Sequence, residues 1–194
     1  IVVFRMAIAA ENNEWYMWMH SVDNLGYRDS IIRFNEEGER IKEYGINGAV
    51  RVPFGDGYVA GNMLILRSGE LMVAVELESL IPSLSSRYIC KYTKVGAPYQ
   101  QFGDSGRAIM NHGEMLYDNR PILLEHQEGS ILVGNTITTN NNSKTELELL
   151  TNLGLPDSSF GNSGKVILSA GTNTSVLSSY WYEEMSEILY ILTD

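Results

Sequence analysis

YICKYTKVGAPYQQFGDSGRAI, residues 88–109, has two gapless counterparts in the same chain: IIRFNEEGERIKEYGINGAV at 31–50 and LELLTNLGLPDSSFGNSGKVI at 147–167. When the three are superposed, Gly38, Gly96 and Gly154 coincide, and so do Tyr44, Phe102 and Phe160. Two further glycine positions match, Gly45 with Gly103 and Gly161, and Gly48 with Gly106 and Gly164. The step from 38 to 96 and from 96 to 154 is 58 residues in each case, and the other matched positions keep it. A fixed step with several matched positions in three copies identifies a tandem repeat, in which each unit buries its apolar faces on its neighbours.

Apolar runs joined across tight turns flank these copies. They are MLILRSGELMVAVEL (63–77) about Gly69, PILLEHQEGSILVGNTI (121–137) about Gly129 and SSYWYEEMSEILYIL (178–192) about Ser186, with EWYMWMHSV (14–22) in the corresponding place of the first unit. Short runs rich in Val, Ile, Leu, Met and Tyr, bounded by Gly, Ser or Glu, read as strands in hairpins. Several are apolar on consecutive positions, the pattern of strands buried on both faces. SIIRFNEEGERI and RYICKYTKVGAP alternate instead, which predicts two outer, more polar strands after two inner, apolar ones. NEEGER and SKTELELL are too short or too interrupted to stand as helices. The chain is therefore expected to be all-β, built of tandem four-stranded blades of about 58 residues as a partial β-propeller. Units fall near 1–51, 52–109 and 110–167, with the start of a further one over 168–194. On this reading the 194 residues open on strands like the middle of a blade and stop after an inner hairpin. The expected partners are accordingly other protein chains, or the remainder of the propeller, covering its ends.

Composition narrows the function classes. With 44% hydrophobic and 20% charged residues, the chain is neither collagen-like nor disordered in type. The 24 acidic against 14 basic residues leave a net charge of −10, which repels polyanions, so no nucleic-acid partner is expected. No run approaches the roughly 18 apolar residues of a membrane span. Cys90, the one cysteine, has no partner for an intrachain disulfide.

The segment LGLPDSSFGNSGKV, with the hairpin EGSILVGNT and the strand ELELLT before it, resembles the delta-60 family of bacterial repeats. Units of that family combine a glycine turn and a strand with a G-x-x-D-x-x-F-G-x-x-G element. The third copy fits best; the second has Tyr99 where Asp157 stands, and the first has Ile41 there and Tyr44 for the phenylalanine. The resemblance covers nearly the whole chain. It implies a propeller-like fold in surface, secreted or phage-associated proteins, hence an extracellular or cell-surface setting or a virion component, and it brings no catalytic residues.

Gly-Asp-Ser-Gly at 103–106 has the residues that surround a chymotrypsin-like nucleophile, and His20, Asp56 and Ser105 stand in the order His, Asp, Ser. The repeat argues otherwise, because Ser105 matches Asn47 and Ser163, and Asp104 matches Ile46 and Asn162. A nucleophile has no reason to recur once per unit, whereas a glycine turn does. The alternative class is a hydrolase, either serine-type through Ser105 or a propeller glycosidase using acids such as Glu76, Glu78 and Glu114. His20, His112 and His126 hold unrelated places in their units, and Asn140, Asn141, Asn142 and Ser143 lack the acidic pattern of a calcium loop. No metal or cofactor is expected. The clusters Trp15, Tyr16, Trp18 and Tyr180, Trp181, Tyr182 are expected to pack between units, glycan stacking being the other use of such rings. The sequence thus points to a non-catalytic module for protein or ligand recognition, or a structural part of a surface, secreted or virion assembly.

Overall fold

The computed structural model describes residues 2–9, 13–23, 26–52, 59–77, 86–110, 121–139, 142–168, 177–183 and 188–193. The first sheet contains β1 (Val2–Ala9), β2 (Trp15–Asp23), β3 (Gly26–Phe34) and β4 (Ala49–Arg51). The second contains β5 (Val59–Ile65), β6 (Leu71–Leu77), β7 (Ser86–Tyr92) and β8 (Arg107–Met110), and the third β9 (Ile122–Glu125), β10 (Ile131–Thr139), β11 (Asn142–Leu150) and β12 (Lys165–Leu168). A two-stranded sheet, β13 (Leu177–Glu183) and β14 (Ile188–Thr193), follows. All pairings are antiparallel between sequence neighbours, no strand is shared by two sheets, and no α-helix occurs among the described residues. The chain is all-β, and it does not close into a barrel. β1 is the edge strand of a four-stranded sheet in the order β1-β2-β3-β4.

Strand β6 shows why the sheets stack. Its side chains alternate between faces. Leu71, Val73 and Val75 join Tyr16, Trp18 and Ile31 of the first sheet, while Met72 and Ala74 join Leu123, Ile131 and Val133 of the third. All five of these β6 residues are at most 1% exposed. A continuous apolar run is thus a strand covered on both sides. The first strands adjoin, β1 against β5 and β5 against β9. The short fourth strands are partly open, with Ile109 of β8 and Ile167 of β12 exposed.

The third strands depart from expectation. Alternation predicted an outer, more polar strand, yet β7 from Arg87 to Tyr92 is buried apart from half-buried Tyr88, and β11 is buried from Thr145 to Leu150. The polar positions face a neighbouring sheet rather than water. Arg87 and Lys91 share a face with Ile89, which packs toward the third sheet, and Glu146 and Glu148 share one with Leu150, which packs toward the second. Charges so placed need partners. Lys91 Nζ lies 3.1 Å from a Glu70 carboxylate oxygen and 4.4 Å from the centroid of the Tyr99 ring.

One loop geometry recurs through the described residues. Asn35–Glu39, Leu66–Glu70, Thr93–Ala97, His126–Ser130 and Thr151–Leu155 are each closed by a bond of 2.7–2.9 Å from the first N–H to the fifth carbonyl. The fourth residue is a glycine at positive φ, the form of a three-residue hairpin loop ending in a glycine bulge. The loops after the third strands also fasten sheet to sheet. Gly45 N–H donates to the Val95 carbonyl at 2.8 Å, and Gly103 N–H donates to the Leu153 carbonyl, 58 residues on in both members, at 2.7 Å. A Cβ on Gly96 would stand 2.8 Å from Gly45 N, and one on Gly154 would stand 2.9 Å from the Phe102 ring. Gly38 has the same conformation, φ +79, but nothing within 4 Å of that position.

These three glycines separate backbone strain from close approach. Gly38→Ala is expected to cost about 1 kcal/mol, the penalty of a side chain at positive φ. Gly96→Ala and Gly154→Ala add the displacement of packed neighbours, for a total of about 2–4 kcal/mol. Urea unfolding of the three variants checks the order, and equal losses would mean that the loops do not dock as described.

Candidate functional site

The repeated glycine-aromatic segments converge on one structural unit at the outer end of each four-stranded sheet. Gly38, Gly96 and Gly154 close the hairpin loops, after which the chain drops an aromatic ring toward the sheet. Tyr44 and Phe102 are 1% and 0% exposed, whereas Phe160 is half-buried. Gly45, Gly103 and Gly161 follow at φ of 61°, 55° and 56°. The unit ends in a two-residue hairpin turn in which both central residues have positive φ: Asn47 and Gly48 at 52° and 78°, Ser105 and Gly106 at 54° and 92°, Ser163 and Gly164 at 54° and 89°. This is the type I′ turn, favoured in hairpins because its twist matches that of the strands.

Gly-Asp-Ser-Gly therefore contains a β-turn. Asp104 N–H donates to the Arg107 carbonyl at 2.7 Å, and Arg107 N–H returns a bond to Asp104 at 3.1 Å. The exposed Ser105 hydroxyl donates to Asp104 Oδ1 at 3.0 Å. His20 lies within β2 of the first sheet. Its Nδ1 is 3.2 Å from Asp29 Oδ2, and Trp18 Nε1–H donates to Asp29 Oδ1 at 2.8 Å. All three side chains are buried. His20 and Asp29 are direct cross-strand partners, which is why their side chains meet on one face. This histidine–carboxylate couple belongs to the packing of the first sheet on the second, whereas Ser105 stands in a turn of the second sheet with its hydroxyl on Asp104.

Other sequence candidates scatter. Asp56, Glu78, His112, Glu114, Asn140 and Asn141 lie outside the described residues. Glu76 stands opposite Arg87 in the β6–β7 ladder, and Asn142 and Ser143 belong to β11 rather than to a loop. His126 opens the β9–β10 hairpin loop. Among the described residues no group of three His, Cys, Asp or Glu side chains is arranged to hold a metal ion. Tyr16 and Trp18 pack in the core, Tyr16 meeting Tyr44 edge-on at 5.5 Å beneath the Arg33 guanidinium, while Trp15 is exposed. Tyr180, Trp181 and Tyr182 lie on β13, outside the residues whose side chains are described.

Sequence reasoning missed a charged cluster on the third sheet. Lys165 Nζ lies 3.2 Å from Glu146 Oε1 and 3.3 Å from Glu148 Oε2, with both carboxylates buried. Partial burial acts to lower the lysine pKa, but the two carboxylates outweigh it and hold the value above the ordinary one. The signal was present in Glu146-Leu147-Glu148, two acids on one strand face. An apolar rim was missed as well: Ile46 (83% exposed), Val95 (64%), Leu153 and Leu155 all sit in the repeated turns. Burial pushes the Cys90 thiol up to about 12, so this cysteine is an inert packing residue.

No family model matches the chain, and no similar protein was found among curated proteins or among solved structures. Its own architecture defines its class: an all-β stack of repeated antiparallel sheets joined by recurrent glycine turns.

Two measurements test this description. Asn is the better residue at positive φ before a turn glycine, so Ser105→Asn is expected to stabilise by about 0.5 kcal/mol, a rise in Tm of about 1–2 °C; a fall would contradict the turn assignment. The Lys165 pairs stabilise fully below the ordinary lysine value of ~10.4, and that contribution is lost as pH rises through the higher folded value. The stability gap between the native protein and Lys165→Met should accordingly stay constant up to about pH 10 and narrow only above it, as read by urea unfolding.

Proposed function

We propose that this chain is a non-catalytic β-propeller module that serves recognition, or forms a structural part, in a surface, secreted or virion assembly. The observation that carries this reading is the burial of the second sheet on both faces by its two neighbours. Adjoining first strands and open fourth strands accompany it, as in blades set around an axis. The delta-60 resemblance supports the same arrangement and the extracellular or cell-surface setting. The apolar rim of Ile46, Val95, Leu153 and Leu155, together with exposed Trp15, offers contact area to a protein or glycan partner. Neighbouring blades come from other protein chains or from the rest of the propeller.

The competing class is a hydrolase through Ser105. Its place in a type I′ turn, hydrogen-bonded to the adjacent Asp104, explains the serine without a catalytic role. Incubation with a fluorophosphonate probe followed by intact-mass analysis is expected to give no adduct. Stoichiometric labelling of Ser105 would overturn the non-catalytic reading. Glycan and protein arrays are expected to return a ligand, and binding should weaken when Val95 and Leu153 are changed to Asp. An array without ligands, combined with turnover of any substrate, would sink the proposal.

A further inference from the structure

Two matching positions, 107 and 165, set a cation on the same scaffold, and among the described residues only one of them meets carboxylates. Lys165 opens β12 opposite Glu148 of β11, and its Nζ lies 3.3 Å from Glu148 Oε2 and 3.2 Å from Glu146 Oε1. Arg107 opens β8 opposite Cys90 of β7. The residues that match Glu146 and Glu148 in this unit are Tyr88 and Cys90, so the cation is kept while both carboxylates are replaced. Among the described residues no carboxylate forms an ion pair with Arg107. The nearest acid along the chain, Asp104, takes the Ser105 hydroxyl at 3.0 Å instead.

Strand alternation fixes which face these groups share. Cys90 and Tyr92 are buried on the face of β7 that packs on the first sheet, and Arg107, the cross-strand partner of Cys90, stands on that face half-buried. Ile109 follows on the same side and is 58% exposed, so this edge of the face reaches solvent. Farther in, the Tyr44 and Tyr92 hydroxyls are buried with no hydrogen-bond partner among the described residues, whereas their counterparts Phe102 and Leu150 carry no polar atom. A buried hydroxyl without a partner is costly and calls for an explanation. Burial outweighs the pull of Arg107 on the Tyr92 hydroxyl and the Cys90 thiol and keeps both protonated. Neither group therefore supplies the negative charge that Glu146 and Glu148 give to Lys165.

We propose that Arg107 holds the carboxylate of a ligand, in the place that Glu146 and Glu148 take around Lys165, with the Tyr92 hydroxyl as a second donor. A guanidinium suits that role, because its planar fork of N–H groups can pair both oxygens of a carboxylate at once. The third sheet shows that the scaffold accommodates carboxylates beside this cation. Exposed Ile109 offers contact to an apolar group next to the carboxylate, whether on a free carboxylic acid or on an acidic protein segment. The site uses no residue of the apolar rim. Its failure would leave the recognition reading in place, and labelling of Ser105 would leave the carboxylate site in place.

The test titrates the isotope-labelled full chain by NMR with two probes, sodium acetate and the blocked dipeptide N-acetyl-glutamyl-leucine amide, at constant ionic strength. Both are expected to shift the Cys90, Arg107 and Ile109 amides saturably. Tighter binding of the dipeptide assigns the carboxylate to a protein partner, and equal affinity assigns it to a free acid. Arg107→Met should abolish the saturable shifts. Tyr88→Glu, which restores the carboxylate present at Glu146, should weaken both probes about tenfold, and Tyr92→Phe about threefold. Should Tyr88→Glu fail to fold, Arg107→Gln at the half-buried cation reports independently. Shifts that stay linear in probe concentration, survive Arg107→Met, or are indifferent to Tyr92→Phe would each overturn the proposal.

Discussion

A strand whose consecutive residues are all apolar cannot leave either face in water, and β6 imposes that condition on the chain. Each fully buried Leu, Val or Met side chain contributes about 1.5–3 kcal/mol relative to exposure. Uncovering either face of Leu71-Met72-Val73-Ala74-Val75 would forfeit several such contributions at once. A single sheet with a wet side is thereby excluded, and so is a two-layer sandwich, since the second sheet needs neighbours on both sides. Stacking along the sequence order follows, because each sheet is complete within one stretch of chain and its neighbours in space are its neighbours in sequence.

Apolar burial has no direction, so something else must set the register between sheets. The loop contacts supply it. A backbone N–H at Gly45 or Gly103 has one acceptor in the next sheet, and the loop glycine fits only where no Cβ intervenes. Side chains can drift under substitution while this backbone-to-backbone fit persists. That accounts for the pattern of identity in the repeat. The residues shared by all three copies are the glycines, all at positive φ, and one aromatic ring, while the strand residues between them differ.

Much of this was legible beforehand. The 58-residue step, the hairpins and the doubly buried inner strands could be read because glycine at positive φ and unbroken apolar runs each have one dominant structural cause. The turn role of Ser105 was likewise readable, once it was aligned with Asn47 and Ser163. The third strands were misread because alternation normally marks a wet face. In β7 and β11 the polar alternates are buried instead, with Lys91 against Glu70 and Tyr99 and with Glu146 and Glu148 against Lys165, and nothing in a local window distinguishes the two. The Lys165 cluster was hidden for a related reason: its members are 17 and 19 residues apart, and only the β11–β12 register brings them together.

Those buried polar positions have a logic of their own in a repeated architecture. Identical faces would let any sheet stack on any other, a known route to misassembly in repeat proteins. At the ladder position where β2 meets β3 the pair is His20 and Asp29; at the same place between β6 and β7 it is Glu76 and Arg87; between β10 and β11 it is Thr136 and Thr145. Asp29, Arg87 and Thr145 stand 58 residues apart, so they are one position filled in three chemically exclusive ways. Each pair is formed within its own sheet and travels with it, so a sheet displaced by one unit would keep its pair but present a different polar surface to its neighbour. The turns, which are nearly alike in every copy, fix how sheets meet; the polar pairs, which differ in every copy, give each sheet a face of its own.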